Sequence, residues 1–102
     1  MTNLFLKVNK DLFKLGLNPT EILLLAQIME YNTNTGDFFM SDAALADNFG
    51  VSSKTISRSL KTLEESGYIC RNTKNTKGGK VRHITVDTLK IEEILKKKEE
   101  AA

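Results

Sequence analysis

The chain is short of several residue types. It holds one cysteine, one histidine, one proline and no tryptophan in 102 residues. A lone cysteine rules out a disulfide framework, and with a single histidine it rules out a zinc site built from several Cys and His ligands. Long apolar runs are missing too. The longest is Ile22-Leu23-Leu24-Leu25-Ala26, against the ~20 residues needed to span a bilayer. Lys7, Lys10, Asp11 and Lys14 break up any apolar signal-peptide core. No glycine-rich phosphate loop precedes a helix, and the adjacent acids Glu64-Glu65 and Glu92-Glu93 diverge on a helix instead of forming a dyad. The expectation is a cytoplasmic, non-enzymatic protein without membrane attachment, with no catalytic residue, no metal and no cofactor.

The composition is otherwise ordinary: 40% hydrophobic and 27% charged residues fit one folded domain with a single core. The formal net charge of +2 hides a segregation. Between Ser52 and Arg82 stand eight bases (Lys54, Arg58, Lys61, Arg71, Lys74, Lys77, Lys80 and Arg82) and only two acids, Glu64 and Glu65, a local balance of +6. The remainder of the chain balances at −4, and no acid occurs between Glu65 and Asp87. Such a stretch is either a solvated lysine-rich surface or the footprint of a polyanion binder. Its place in the fold decides between them.

Local signals outline the elements. Leu4 to Val8 reads as a short strand or apolar arm, and Lys10–Leu15 as a helical turn or two ending near Gly16. Asn18, Pro19 and Glu21 form a capping-box start. Behind it, Ile22, Leu25, Ala26 and Met29 mark a buried helix reaching about Asn34. Phe38-Phe39-Met40 is a short β-prone piece. Ser41 or Asp42 caps a second helix, which ends at Gly50, and Ser52 caps a third, which runs to Ser66 with Gly67 beyond it. Tyr68–Thr73 and Val81–Val86 read as hairpin strands, joined by a polar, flexible Lys74–Lys80 connection. A last helix, capped by Asp87 or Thr88, presents Leu89, Ile91, Ile94 and Leu95, and its charged tail from Lys96 to Glu100 is expected to fray.

The stretch Asp42 to Leu63 carries the functional signal. Ala46 is small enough for two helices to cross closely, and Gly50 permits a positive φ in a sharp turn. Val51, Ile56, Leu60 and Leu63 hold the third helix against the others. Helical periodicity then turns Ser53, Lys54, Ser57, Arg58 and Lys61 outward, a set of short hydrogen-bonding and basic side chains suited to base edges and phosphates.

The run ALADNFGVSSKTISRSLKTLEESGYI resembles the helix-turn-helix core of bacterial winged-helix DNA-binding proteins. YICRNTKNTKGGKVRHITV resembles their two-stranded wing. The likeness covers roughly residues 19–86 and points to small plasmid or phage replication and conjugative-transfer proteins. It implies an α+β winged helix-turn-helix fold: a three-helix core, a two- or three-stranded wing and an extra C-terminal helix. One domain would fill residues 1–102, with the helix-turn-helix at 41–66, the wing at 68–86 and the last helix at 87–99. Groove contacts would fall on Ser52, Ser53, Lys54, Thr55, Ser57, Arg58 and Lys61. Wing contacts would fall on Arg71, Lys74, Asn75, Lys77, Gly78, Gly79, Lys80 and Arg82.

The implied partner is double-stranded DNA. The wing tip Lys77-Gly78-Gly79-Lys80 is thin enough for a minor groove ~6 Å wide, while Arg58 or Lys54 would address guanine in the major groove. The favoured role is marking the origin of a plasmid or other mobile element, with replication or transfer proteins as further partners. An operator-binding repressor is the first alternative, and a winged-helix protein–protein module the second. Apolar residues at both ends, among them Leu4, Phe5, Phe13, Leu89, Ile94 and Leu95, suggest a homodimer paired through terminal helices. Cys70 and His83 are expected to be plain strand residues.

Overall fold

In the computed structural model, which describes residues 6–34, 36 and 38–101, the Asn18 signal forms a complete capping box. Asn18 Oδ1 accepts from the Glu21 amide at 2.8 Å, and Glu21 Oε1 accepts from the Asn18 amide at 2.9 Å. Two donors at the helix start are thereby satisfied reciprocally. The helix they open, α1 (Pro19–Asn34), buries Ile22, Leu24, Leu25, Ala26 and Ile28, whereas Leu23 stays exposed. Before it, Lys10–Leu15 forms a 3₁₀ helix that buries Leu12 and Leu15 and ends at Gly16. Leu4 and Phe5 lie outside the described residues. Leu6 and Val8 pack against the core without joining a strand.

Two further helices follow their caps. Ser41 Oγ accepts from the Ala44 amide at 3.1 Å and starts α2 (Asp42–Phe49); Ser52 Oγ accepts from the Thr55 amide at 3.1 Å and starts α3 (Ser53–Glu65). Gly50, at φ 68°, makes the turn between them, and the Val51 amide closes back on the Ala46 carbonyl at 3.0 Å. Ile56, Leu60 and Leu63 of α3 are fully buried against α1 and α2. Each such side chain contributes about 1.5–3 kcal/mol by leaving water. Ser59 is buried among them, a small polar residue accommodated where helices pack closely.

The hairpin differs from expectation in its length. β1 (Ile69–Thr76) pairs antiparallel with β2 (Gly79–Val86), from Ile69 opposite Val86 to Thr76 opposite Gly79. The seven-residue flexible connection therefore shrinks to a two-residue turn at Lys77-Gly78. Gly79 takes φ 119°, and Thr76 Oγ1 donates to the Gly79 carbonyl at 2.9 Å. Sequence periodicity could not reveal this extension, because both faces of the tip lie in water and neither needs apolar residues. Phe38-Phe39-Met40 does not become a third strand. It lies beside β2, where its Phe38 carbonyl accepts from the Ile84 amide at 3.2 Å.

α1 also serves the outer edge of β2. Asn32 Nδ2 donates to the Ile84 carbonyl at 3.2 Å while its Oδ1 accepts from the Val86 amide at 2.8 Å. One side-chain amide thus replaces a neighbouring strand for two buried residues.

α4 (Thr88–Ala101) begins with Asp87 Oδ1 accepting from the Lys90 amide at 3.1 Å. Ile91 is buried and Ile94 and Leu95 are half-buried, but Leu89 is 74% exposed. Its place on the helix explains this: two residues before Ile91 is a rotation of roughly 200°, the opposite side. The tail expected to fray continues as helix through Ala101. Lys and Glu are good helix formers, and Lys98 Nζ donates to the Lys14 carbonyl in the 3₁₀ helix. The architecture is α+β, a winged helix-turn-helix of a three-helix core, a two-stranded wing and a C-terminal helix.

Candidate nucleic-acid interface

Burying Ile56, Ser59, Leu60 and Leu63 leaves the rest of α3 to solvent. Ser53, Lys54, Ser57, Arg58 and Lys61 are all exposed. Among the described residues neither Lys54 nor Arg58 has an ion-pair partner, and Lys61 sits 3.9 Å from Glu65 at the loose (i, i+4) spacing. Ser52 and Thr55 have other duties. Ser52 Oγ is the helix cap and lies 2.9 Å from Thr55 Oγ1, with Thr55 half-buried. Five of the seven helix positions singled out from sequence therefore form an open polar face, and two shape its start.

The wing divides by strand alternation. Directly opposed residues share a face, so Arg71, Thr73 and Asn75 lie with Ile84, Arg82 and Lys80 on the side that carries the buried Ile69 and Ile84. Lys74 lies opposite Val81 on the other side, with Asn72 and His83. His83 is half-buried there and meets Phe39 edge-to-face at 4.4 Å between ring centroids. Lys77 and Gly78 form the turn. Lys74, Asn75, Lys77, Gly78, Gly79 and Lys80 are all exposed. Cys70 is a free, exposed thiol on β1.

The two wing arginines behave unlike the lysines. Arg71 grips Glu64 at the end of α3 with both Nε and Nη2, at 3.2 and 2.9 Å. These side-chain hydrogen bonds hold the Glu64 carboxyl below the ordinary glutamate value and push the Arg71 guanidinium up, against a smaller opposing effect of burial. Arg82 reaches from β2 to the start of α2, donating through Nη1 to Asp42 Oδ1 at 2.7 Å and through Nη2 to the Met40 carbonyl at 2.7 Å. Neither tie was legible in the sequence. The Arg71 tie spans seven residues across the Gly67 turn, where a Glu–Arg pair flanking a helix-to-strand exit was the available hint. The Arg82 tie spans forty residues and left no local hint.

An open depression joins the two regions. Phe39–Ala43, Ser53 and Lys80–Arg82 line it, so the start of α3 and one strand of the wing share a concave surface. Its lining includes Lys80, Ser53, the starts of α2 and α3, and the Arg82–Asp42 pair. Among the described residues no helix is long and apolar enough to cross a membrane, and no group of three or more His, Cys, Asp or Glu is placed to hold a metal ion.

Comparison with known proteins bears on this surface. Residues 15–69 match a family model described as a helix-turn-helix domain. That segment runs from the end of the 3₁₀ helix through α3 to the first residue of β1. No curated protein matches the chain. Among solved structures, a protein of Methanosarcina mazei Go1 described as a "possible transcriptional regulator" superposes with a TM-score of 0.61 at 24% identity, over 90% of this chain and 77% of that one. At that identity the likeness establishes the fold.

Proposed function

This chain belongs to the helix-turn-helix domain family, and from that premise we propose that it binds double-stranded DNA through α3 and the wing. The single observation that carries the reading is the shared depression: Ser53 at the start of α3 and Lys80 on the wing line one concave surface. An exposed helix face of Ser53, Lys54, Ser57, Arg58 and Lys61 has the dimensions and donors for a major groove. Lys74, Lys77 and Lys80, exposed and without ion-pair partners among the described residues, supply positive charge for phosphates beside it. Ser52 and Thr55 act by holding the helix start. Arg71 and Arg82 act by holding the hairpin.

The biological use we favour is site-specific binding at the origin of a mobile element. It rests on the resemblance of the Asn18-Pro19-Thr20-Glu21 helix start, the Phe38-Phe39 segment and the Leu63-Glu64-Glu65-Ser66-Gly67-Tyr68-Ile69 helix exit to replication and transfer modules. Operator binding fits the same surface equally well, and the M. mazei protein's description as a possible transcriptional regulator favours that second reading. Selection of bound duplexes from random DNA separates the two: direct repeats support the origin, a palindrome supports the operator. Palindromic sites also require two-fold pairing, which we propose to run through the terminal helices, where Phe13 and Leu89 remain exposed. Sedimentation at micromolar concentration tests it, and a monomer at all concentrations removes it.

Arg58→Ala tests the helix directly. Removing a bidentate hydrogen-bond pair to guanine costs about 1–3 kcal/mol and relaxes preference at one base pair. Unchanged affinity and unchanged selected sequence would remove α3 from the readout.

A further inference from the structure

Asp42 is a carboxylate lining the depression assigned above to a polyanion, and simple electrostatics counts it as a penalty. The geometry gives it another task. Ser41, not Asp42, caps α2 through its hydroxyl, so the Asp42 side chain is spare for another contact. It takes Nη1 of Arg82 at 2.7 Å, while Nη2 of the same guanidinium is held by the Met40 carbonyl at 2.7 Å. Both ends of the pair are well shielded, at 24% and 32% exposure. Two bonds from one planar fork fix direction as well as distance, which a lysine ammonium cannot do.

The position of this contact matters more than its strength. Arg82 lies opposite Thr73 and two residues from Lys80. Arg71, the other fastener, holds β1 nearer the base. A two-stranded ribbon has little rigidity of its own. Beyond the buried Ile84 the hairpin is therefore held by the His83–Phe39 ring contact on one face and by the Arg82 fork on the other, and only the fork fixes direction through hydrogen bonds. Resting on the DNA-binding reading above, we propose that Asp42 is a positioning residue for the wing: through Arg82 it sets where Lys77 and Lys80 stand relative to α3.

A double-mutant cycle distinguishes this from a general structural role. The probe is a fluorescein-labelled duplex of mixed sequence in dilute buffer, read by anisotropy, with melting followed by circular dichroism. Asp42→Asn removes a negative charge, yet is expected to weaken binding about five- to tenfold, with the salt slope flattened toward that of Lys77→Gln/Lys80→Gln as the displaced lysines leave their phosphates. Asp42→Glu, which keeps the carboxylate, is expected to stay within about threefold of the unaltered protein. In a Lys77→Gln/Lys80→Gln background, Asp42→Asn is expected to change affinity less than about twofold, because the groups it positions are gone.

Equal or tighter binding by Asp42→Asn overturns the proposal, since it makes the carboxylate a charge penalty only. Equal weakening in both backgrounds overturns it as well, since the effect then bypasses the wing. Should Asp42→Asn fail to fold, Arg82→Lys, which keeps the charge but not the fork, carries the same cycle and the same expectations. Failure of the unaltered protein to bind any duplex in dilute buffer strikes instead at the DNA-binding reading, a distinct outcome.

Discussion

The base and the tip of the hairpin are built from the same two strands and share the same excess of positive charge, yet they are different materials. At the base, every cation is occupied. Arg71 is forked onto Glu64 and Arg82 onto Asp42 and the Met40 carbonyl. The outer backbone of β2 is satisfied there by Asn32 and Phe38. At the tip, Lys74, Lys77 and Lys80 are exposed and have no ion-pair partner among the described residues. The division follows side-chain chemistry: a guanidinium fork suits a fixed bidentate contact, and an ammonium on a flexible stem suits a mobile polyanion. Charge counted along a sequence is therefore not charge available to a partner. Two of the five bases between Arg71 and Arg82 are already committed within the fold.

The largest effect should come from emptying the tip. Lys74→Gln, Lys77→Gln and Lys80→Gln together are expected to lower duplex affinity about a hundredfold or more near 0.1 M salt. The log–log salt dependence should flatten by roughly 0.9 for each phosphate that is no longer neutralised. Melting should move by no more than a degree or two, as for surface changes that leave internal packing intact. The opposite pattern, a fallen Tm with an unchanged salt slope, would erase the distinction between the two halves of the hairpin.

The base should respond the other way round. Asn32→Ala strips a donor from the Ile84 carbonyl and an acceptor from the Val86 amide, on residues that are 1% and 7% exposed. Leaving two buried backbone groups unpaired costs about 1–3 kcal/mol each, enough to lower the Tm by about ten degrees in a domain of this size. Below its transition the variant is expected to keep the salt slope of the unaltered protein. A thermal scan in parallel with a salt titration checks both halves, and a changed slope without a changed Tm would place Asn32 among the binding groups.

What was legible in the sequence was what is local. Asn18 with Glu21, Ser41, Ser52 and Gly50 act over three to five residues, so their identities and spacing announce caps and turns directly. The buried stripe of Ile56, Leu60 and Leu63 follows from periodicity alone, and with it the outward set from Ser53 to Lys61. The family resemblance extended the same reading to the wing. What stayed hidden was non-local or unpatterned. Asn32 meets β2 more than fifty residues away, and Arg82 meets Asp42 forty residues away; neither leaves a periodic trace. The tip strands carry Thr, Asn and Lys on both faces, so the pattern that ordinarily marks a strand had nothing to record. Leu89 departs from the expected apolar face of α4 because its angle to Ile91, not its hydrophobicity, decides which side it occupies.

The smallest effect, and the finest cut between base and tip, is a pH dependence. Glu64 titrates below an ordinary glutamate because Arg71 donates two hydrogen bonds to its ionised form. Its folded value is therefore lower than its unfolded value of about 4.3. The sign follows from linkage: the pair stabilises the fold fully at neutral pH, and that contribution fades as acid takes the pH down through the folded value. Unaltered protein and Glu64→Gln should thus differ in Tm at pH 7 and converge below about pH 4. The gap should be a few degrees at most, because Glu64 is 39% exposed and water screens the pair. Parallel curves down to about pH 3 would mean that Arg71 is held by something other than Glu64, and that the base is less committed than its geometry indicates.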